Sequence, residues 1–177
     1  MSEYRPYILL PLCLLAGCAN IPDSYAPPIQ RKPLTGAEPS PIGTFVNLGE
    51  PSADAYIVRD ITGYVESSSW RWTRKRPELR FFLDSTEHLK FKADFSIADV
   101  TLKETGPVTI SIFINSHLLD KTKYTTADRR QFEKPVPAAF LLPKSVNIVA
   151  LEIDKVWVSK TDGAVLGFIL TSAGFTE

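Results

Sequence analysis

Apolar and polar residues alternate with a period of two along most of the chain after residue 55. Leu89, Phe91, Ala93, Phe95 and Ile97 take every second place, with Lys90, Lys92, Asp94 and Ser96 between them. Successive side chains of a strand point to opposite faces, so this stretch predicts a strand with one face in a core and one in water. Val108, Ile110, Ile112 and Ile114 repeat the pattern, as do Leu79, Phe81 and Leu83, then Val149, Leu151 and Ile153. Weaker sets run through Tyr56 and Val58, Val156 and Val158, and Leu166, Phe168 and Leu170. Breaks fall at Gly63, Pro77, Gly106-Pro107, Asn115-Ser116-His117 and Asp162-Gly163, all residue types that favour turns. No window carries a helical stripe, and Ile97 to Thr105 is expected to be at most a short turn. About eight short strands with one apolar face each predict an all-β fold, an antiparallel sandwich of two sheets around a shared core.

The first 51 residues read differently. Tyr7 to Ala16 is a ten-residue apolar run behind Arg5. It is too short to cross a bilayer, which takes about 20 residues, and it suits the apolar segment of a secretory signal. Ala19 to Pro51 then holds Pro22, Pro27, Pro28, Pro33, Pro39, Pro41 and Pro51, half of the 14 prolines. Its apolar residues have no period, a composition expected to give an extended, solvated tether. A second reading lets the end of this stretch, Ile42 to Leu48, dock on the domain as an irregular edge segment. The expected organisation is a signal peptide over 1–17, a cysteine-led linker over 18–51 and a β-sandwich over 52–177.

Leu15-Ala16-Gly17-Cys18 resembles the lipobox of bacterial lipoproteins. The resemblance implies cleavage before Cys18, lipid on its sulfur, and attachment to the membranes of a bacterial envelope. Ala19, rather than Asp, follows the cysteine, which in enterobacteria-like lipoproteins implies the outer membrane. Cys13 would leave with the leader, so the folded part would hold no thiol for a disulfide, a metal or a nucleophile. One acyl chain holds a protein only marginally, whereas two or more hold it stably.

A second resemblance lies in the sandwich. Val108–Leu119 resembles the strand and turn of jelly-roll modules of the galactose-binding-like class. Phe132–Leu142 and Asn147–Asp154 resemble the extended segment and return strand that follow. Gly63, Glu66, Trp70-Arg71-Trp72-Thr73 and Leu166-Gly167-Phe168 resemble small sandwich domains that accompany bacterial surface-polysaccharide glycosyltransferases. Ser116 stands where the first group usually has glycine, and Ala164 where the second often has arginine. The resemblance therefore implies a fold, a jelly roll, and leaves function to the site.

Charge and chemistry narrow the classes. With 20 basic and 20 acidic residues the chain has no basic excess of the kind that marks nucleic-acid binding. The two histidines, His88 and His117, sit in turn contexts rather than beside a nucleophile motif, and they lack metal-ligand spacing. No catalytic residue, metal or cofactor is expected. Asp84, Glu87, Asp162 and Glu66 could serve a calcium ion, but no loop concentrates them.

The informative cluster is Trp70-Arg71-Trp72-Thr73-Arg74-Lys75-Arg76, with Arg80 beyond. Sugar C–H faces pack on aromatic rings, and guanidinium groups donate to hydroxyl and acidic oxygens. Trp70, Arg71, Trp72, Arg74 and Arg76 are thus candidate contacts for an envelope polysaccharide. Asn115 and His117, and Arg129-Arg130, are secondary candidates. The competing reading makes the tryptophans core and the basic residues a solvated loop. A non-catalytic glycan-binding lipoprotein is the expected function; the alternative is an accessory lipoprotein that docks another envelope protein.

Overall fold

A computed structural model describes residues 42–177. Cys18 and the expected leader and most of the linker lie outside the described residues. Among the described residues there are eleven strands, where about eight are expected: β1 (Phe45–Asn47), β2 (Ile57–Ile61), β3 (Arg71–Leu83), β4 (Lys90–Ser96), β5 (Val108–Ile114), β6 (His117–Tyr124), β7 (Arg129–Pro135), β8 (Ser145–Ile153), β9 (Trp157–Val158), β10 (Val165–Leu166) and β11 (Ile169–Thr176). One helix, α1 (Asp99–Thr105), takes the place of the short turn expected there.

Nine strands form one antiparallel sheet in the order β6-β5-β8-β3-β11-β4-β7, with β1 beside β11 and β2 beside β3. The sheet folds over because β3 belongs to both halves. Its first residues, Arg71 and Trp72, pair with Leu170 and Ile169 of β11. Further along, Glu78 to Leu83 pair with β8. The chain then passes repeatedly between the halves: β4 in one, β5 and β6 in the other, β7 back in the first, β8 in the second. This is the expected jelly-roll sandwich.

The core positions of the stronger sets are core, whereas Val58 and Val158 of the weaker sets are exposed. Leu79, Phe81, Leu83, Phe91, Phe95, Ile110, Ile112, Ile114, Val149, Leu151 and Ile153 are all buried between the halves. Phe81 meets Tyr56 and Phe175 at ring distances of 5.7 and 5.6 Å, tilted and edge-to-face as ring quadrupoles favour. The sandwich also begins earlier than residue 52. Val46 and Leu48 are buried, and β1 pairs in register with Gly174, Ala173 and Ser172 of β11. The edge-segment reading of Ile42 to Leu48 is the one the structure takes, as a regular strand.

Why the proline-rich stretch yields a strand here is local. Phe45-Val46-Asn47 is free of proline, and Gly174 opposite leaves no side chain in the way. A Cβ at Gly174 would lie 2.4 Å from the Thr44 carbonyl oxygen and 2.8 Å from the Phe45 ring.

Candidate functional site

The candidate residues separate into three places. Trp70 and Trp72 share one side of β3 and Arg71 and Thr73 the other, as the alternation requires. It is Arg71 and Thr73 that face inward. Arg71 has a side chain only 3% exposed, whereas its partner Asp54 is 75% exposed. Its Nη1 donates to Asp54 Oδ1 at 2.6 Å and its Nε to the Leu48 carbonyl at 2.9 Å. A buried guanidinium is tolerated where it is paired with a carboxylate and hydrogen-bonded, as here through Nη1 and Nε. The expectation that Arg71 contacts a ligand is corrected: its side chain is buried, and its Nε and Nη1 hold the Leu48–Asp54 segment against the root of β3.

Thr73 does similar work. Its hydroxyl donates to the Phe168 carbonyl at 2.8 Å and accepts from the Phe168 N–H at 3.0 Å. That exchange fixes the junction of β10 and β11 beside β3. Gly167 lies over the Arg74 carbonyl so closely that a Cβ would come within 2.3 Å of it. The hairpin of β9 and β10 is thereby seated next to Trp72.

The result is an aromatic platform on the outside. Trp70 and Trp72 meet edge to face with ring centres 6.0 Å apart, and Trp72 meets Trp157 of β9 at 6.3 Å. All three tryptophans of the chain gather there, each partly exposed. Neither sequence reading of the pair survives unchanged, since the rings face outward yet shield one another. Arg74 and Lys75, just beyond on β3, are exposed, and their side chains have no hydrogen bond or ion pair among the described residues.

Arg76 is committed elsewhere. It bonds Glu152 and lies 3.4 Å from Glu78, with its guanidinium 4.8 Å over the Phe113 ring. Glu78 also accepts from Arg59 at 2.5 Å. Burial opposes ionisation of Glu78, but the hydrogen bonds and charges of Arg59 and Arg76 outweigh it and hold its carboxyl below the usual glutamate range. Arg76 is therefore part of a charge network on the outer face of the larger half, not of the platform.

Asn115 and His117 lie at the far end of β3, by the segment that pairs with Leu83. Asn115 Nδ2 donates to the Phe140 carbonyl at 2.9 Å and to Asn147 Oδ1 at 2.7 Å, while its Oδ1 accepts from the Ile148 N–H at 2.8 Å. His117 stacks on Phe140 at 4.7 Å. Asn115 has its amide filled by the turn it builds, which corrects its candidacy. Arg129 pairs with Asp94 at 2.8 Å, and Arg130 with Asp128 at 3.2 Å. Among the described residues no three His, Cys, Asp or Glu side chains group to hold a metal ion.

The outer face of β11 continues from the platform. Asn47, Gly49, Glu50, Ser68, Ser69 and Thr171 line a hollow of about 330 Å³. A second, of about 260 Å³, is lined by Phe45, Lys92, Asp94, Gln131, Phe132, Glu133 and Ser172. Sequence reasoning passed over these residues and gave Trp157 no site role. They come from distant segments, and only the outward parity of Lys92 and Asp94 was visible beforehand.

No family model and no curated protein matches this sequence. Among solved structures the chain is similar to a family 35 carbohydrate-binding module from Clostridium thermocellum, with 9% identity, 77% of this chain and 96% of that one covered, and a TM-score of 0.43. A family 35 module from Paenibacillus barcinonensis gives 13% identity, 76% and 99% coverage, and 0.40. The glucuronidase BtGH115A gives 12% identity and 0.44, with 83% of this chain but only 19% of that one covered. At these scores nothing about a ligand follows from the likeness.

Proposed function

We propose that this chain is a lipid-anchored protein of a bacterial envelope whose β-sandwich binds a glycan and performs no chemistry on it. The observation that carries the reading is the outward gathering of Trp70, Trp72 and Trp157 on the side of β3 that also carries Arg74, which has no hydrogen bond or ion pair among the described residues. Three large rings left partly in water forgo burial that would otherwise stabilise the fold, and such patches mark binding surfaces. Ring faces suit the C–H face of a pyranose, and Arg74 supplies planar donors for hydroxyl or acidic oxygens. Arg71 takes no ligand in this scheme; it positions the root of β3 from within.

The test is a glycan array that holds neutral and acidic bacterial polysaccharides, probed with the purified chain. Retention is expected, and Trp72→Ala should weaken it by about tenfold or more, in the range of an interface anchor. No retention on any glycan, or full retention by Trp72→Ala with an unchanged melting temperature, would falsify the reading. The anchor is tested separately: the precursor should incorporate labelled palmitate in a bacterial host, and Cys18→Ser should not. Label retained by Cys18→Ser would remove the anchor from the proposal and leave the glycan site standing.

A further inference from the structure

The two hollows and the tryptophan platform are not separate features, because one strand carries all three. Ile169 of β11 pairs with Trp72, Thr171 lines the first hollow, and Ser172 lines the second. The pairing of β11 with β4 slips between Leu170 and Ser172, so one extra residue enters β11 at that point. Such a bulge lets neighbouring residues break strict alternation, and here Thr171 and Ser172 each reach an outer hollow. Next along, Gly174 pairs with Phe45 on one side and with Lys92 on the other. Having no side chain, it lets the β1 backbone and the Phe45 ring lie close against it. The rows of Ile169 and Gly174 face Ser96 and Lys92 of β4, roughly 14 Å apart at strand rise, since the extra residue adds no row.

We infer that the outer face of β11 is a track for an extended, uncharged polysaccharide chain, running from the tryptophan platform to Phe45. The inference rests on the glycan reading and adds the form of the ligand and a second aromatic contact. Beyond the platform the track is polar and the charges of its second hollow are paired, while Glu50 on the first hollow is a carboxylate with no cationic partner among the described residues. Lys92 pairs with Glu133 at 3.2 Å, Lys90 with the same carboxylate at 3.6 Å, and Asp94 with Arg129 at 2.8 Å. What it offers are hydroxyls and amides, from Ser172, Thr171, Asn47 and Gln131, between aromatic rings at both ends. Hydrogen-bonding groups of both senses between flat apolar faces match a chain of hydroxylated rings. Past Arg74 at the platform end, the paired charges of the second hollow and the negative Glu50 of the first give no foothold to a polyanion. The path follows a strand, so the chain that fits it is straight, as β-1,4-linked pyranoses are.

The probe is a ladder of neutral β-1,4-linked gluco-, manno- and xylo-oligosaccharides of one to six units, titrated calorimetrically against the purified chain. Affinity in at least one series should rise tenfold or more between two units and six. Phe45→Ala should bring the six-unit ligand down about tenfold and leave the two-unit ligand within twofold, whereas Trp72→Ala should weaken every length. Phe45 is 38% exposed, so its truncation is expected to keep the fold, and an unchanged melting temperature checks this. Affinity that is flat beyond two units, or a six-unit affinity untouched by Phe45→Ala, overturns the track but leaves glycan binding at the platform intact. Binding of acidic array glycans with no binding of any ladder overturns it too. Loss of all glycan retention is the different result that removes the platform reading itself.

Discussion

Asn147→Leu should lower the stability of the sandwich by about 3–4 kcal/mol, although leucine keeps the branched outline of asparagine. Asn147 is fully buried. Its Oδ1 accepts from the Leu142 N–H at 2.8 Å and from Asn115 Nδ2 at 2.7 Å. Its Nδ2 donates to the carbonyls of Leu142 at 2.9 Å and Ser145 at 3.1 Å. Leucine would leave those partners without a match in a site closed to water, and each such group costs about 1–3 kcal/mol. Some would recover a partner by local shifts, so the sum is smaller than four full penalties. Denaturant unfolding should show a lower midpoint with the slope unchanged. A loss below about 1 kcal/mol would mean that the loop from Phe140 to Ser145 is held by its apolar contacts alone.

Gly167→Ala should cost about 3 kcal/mol, at the top of the range for added volume in a packed site. The obstacle is backbone: the new Cβ would meet the Arg74 carbonyl oxygen at 2.3 Å and Thr73 Oγ1 at 3.0 Å. A flexible side chain could swing aside, but β3 is held there by Thr73 through Phe168. The β9–β10 hairpin must therefore lift, and Trp157 leaves Trp72. A fall in melting temperature of roughly 10 °C should accompany a red shift in tryptophan emission. Gly63→Ala is the matched control, since nothing lies within 4 Å of a Cβ there. Equal melting temperatures for the two variants would show that the hairpin is not seated by this contact.

Alternation announced the strands because a period of two is a local property of the chain, visible in any run such as Leu89 to Ile97. The same property explains the misreading at α1. Asp99 to Thr105 is too short to display a helical stripe, and only one of its residues, Thr101, is buried. β6 was unannounced for a related reason: as an outer strand of the sheet it buries only Leu119.

At Trp70 to Thr73 the pattern separated two sides correctly without telling which was inner. That choice depends on partners remote in sequence. Leu48 and Asp54 match the donors of Arg71, Phe168 matches Thr73, and Trp157 covers Trp72. With those contacts in place, an arginine and a threonine fill the narrow corner where β3 changes halves, and two indoles are left outside.

Residue order alone therefore settled the strand class, the antiparallel sandwich and the larger part of its apolar core, because each follows from how neighbouring side chains alternate; Val46, Leu48, Val136, Leu141 and Phe175 joined that core without such a pattern. The three-dimensional arrangement decided which side of β3 faces inward and which cations stay free. It also decided that Phe45, Gln131 and Ser172 share a trough. Those are relations between segments far apart along the chain, set by register and by the matching of buried donors to acceptors, and no local pattern encodes them.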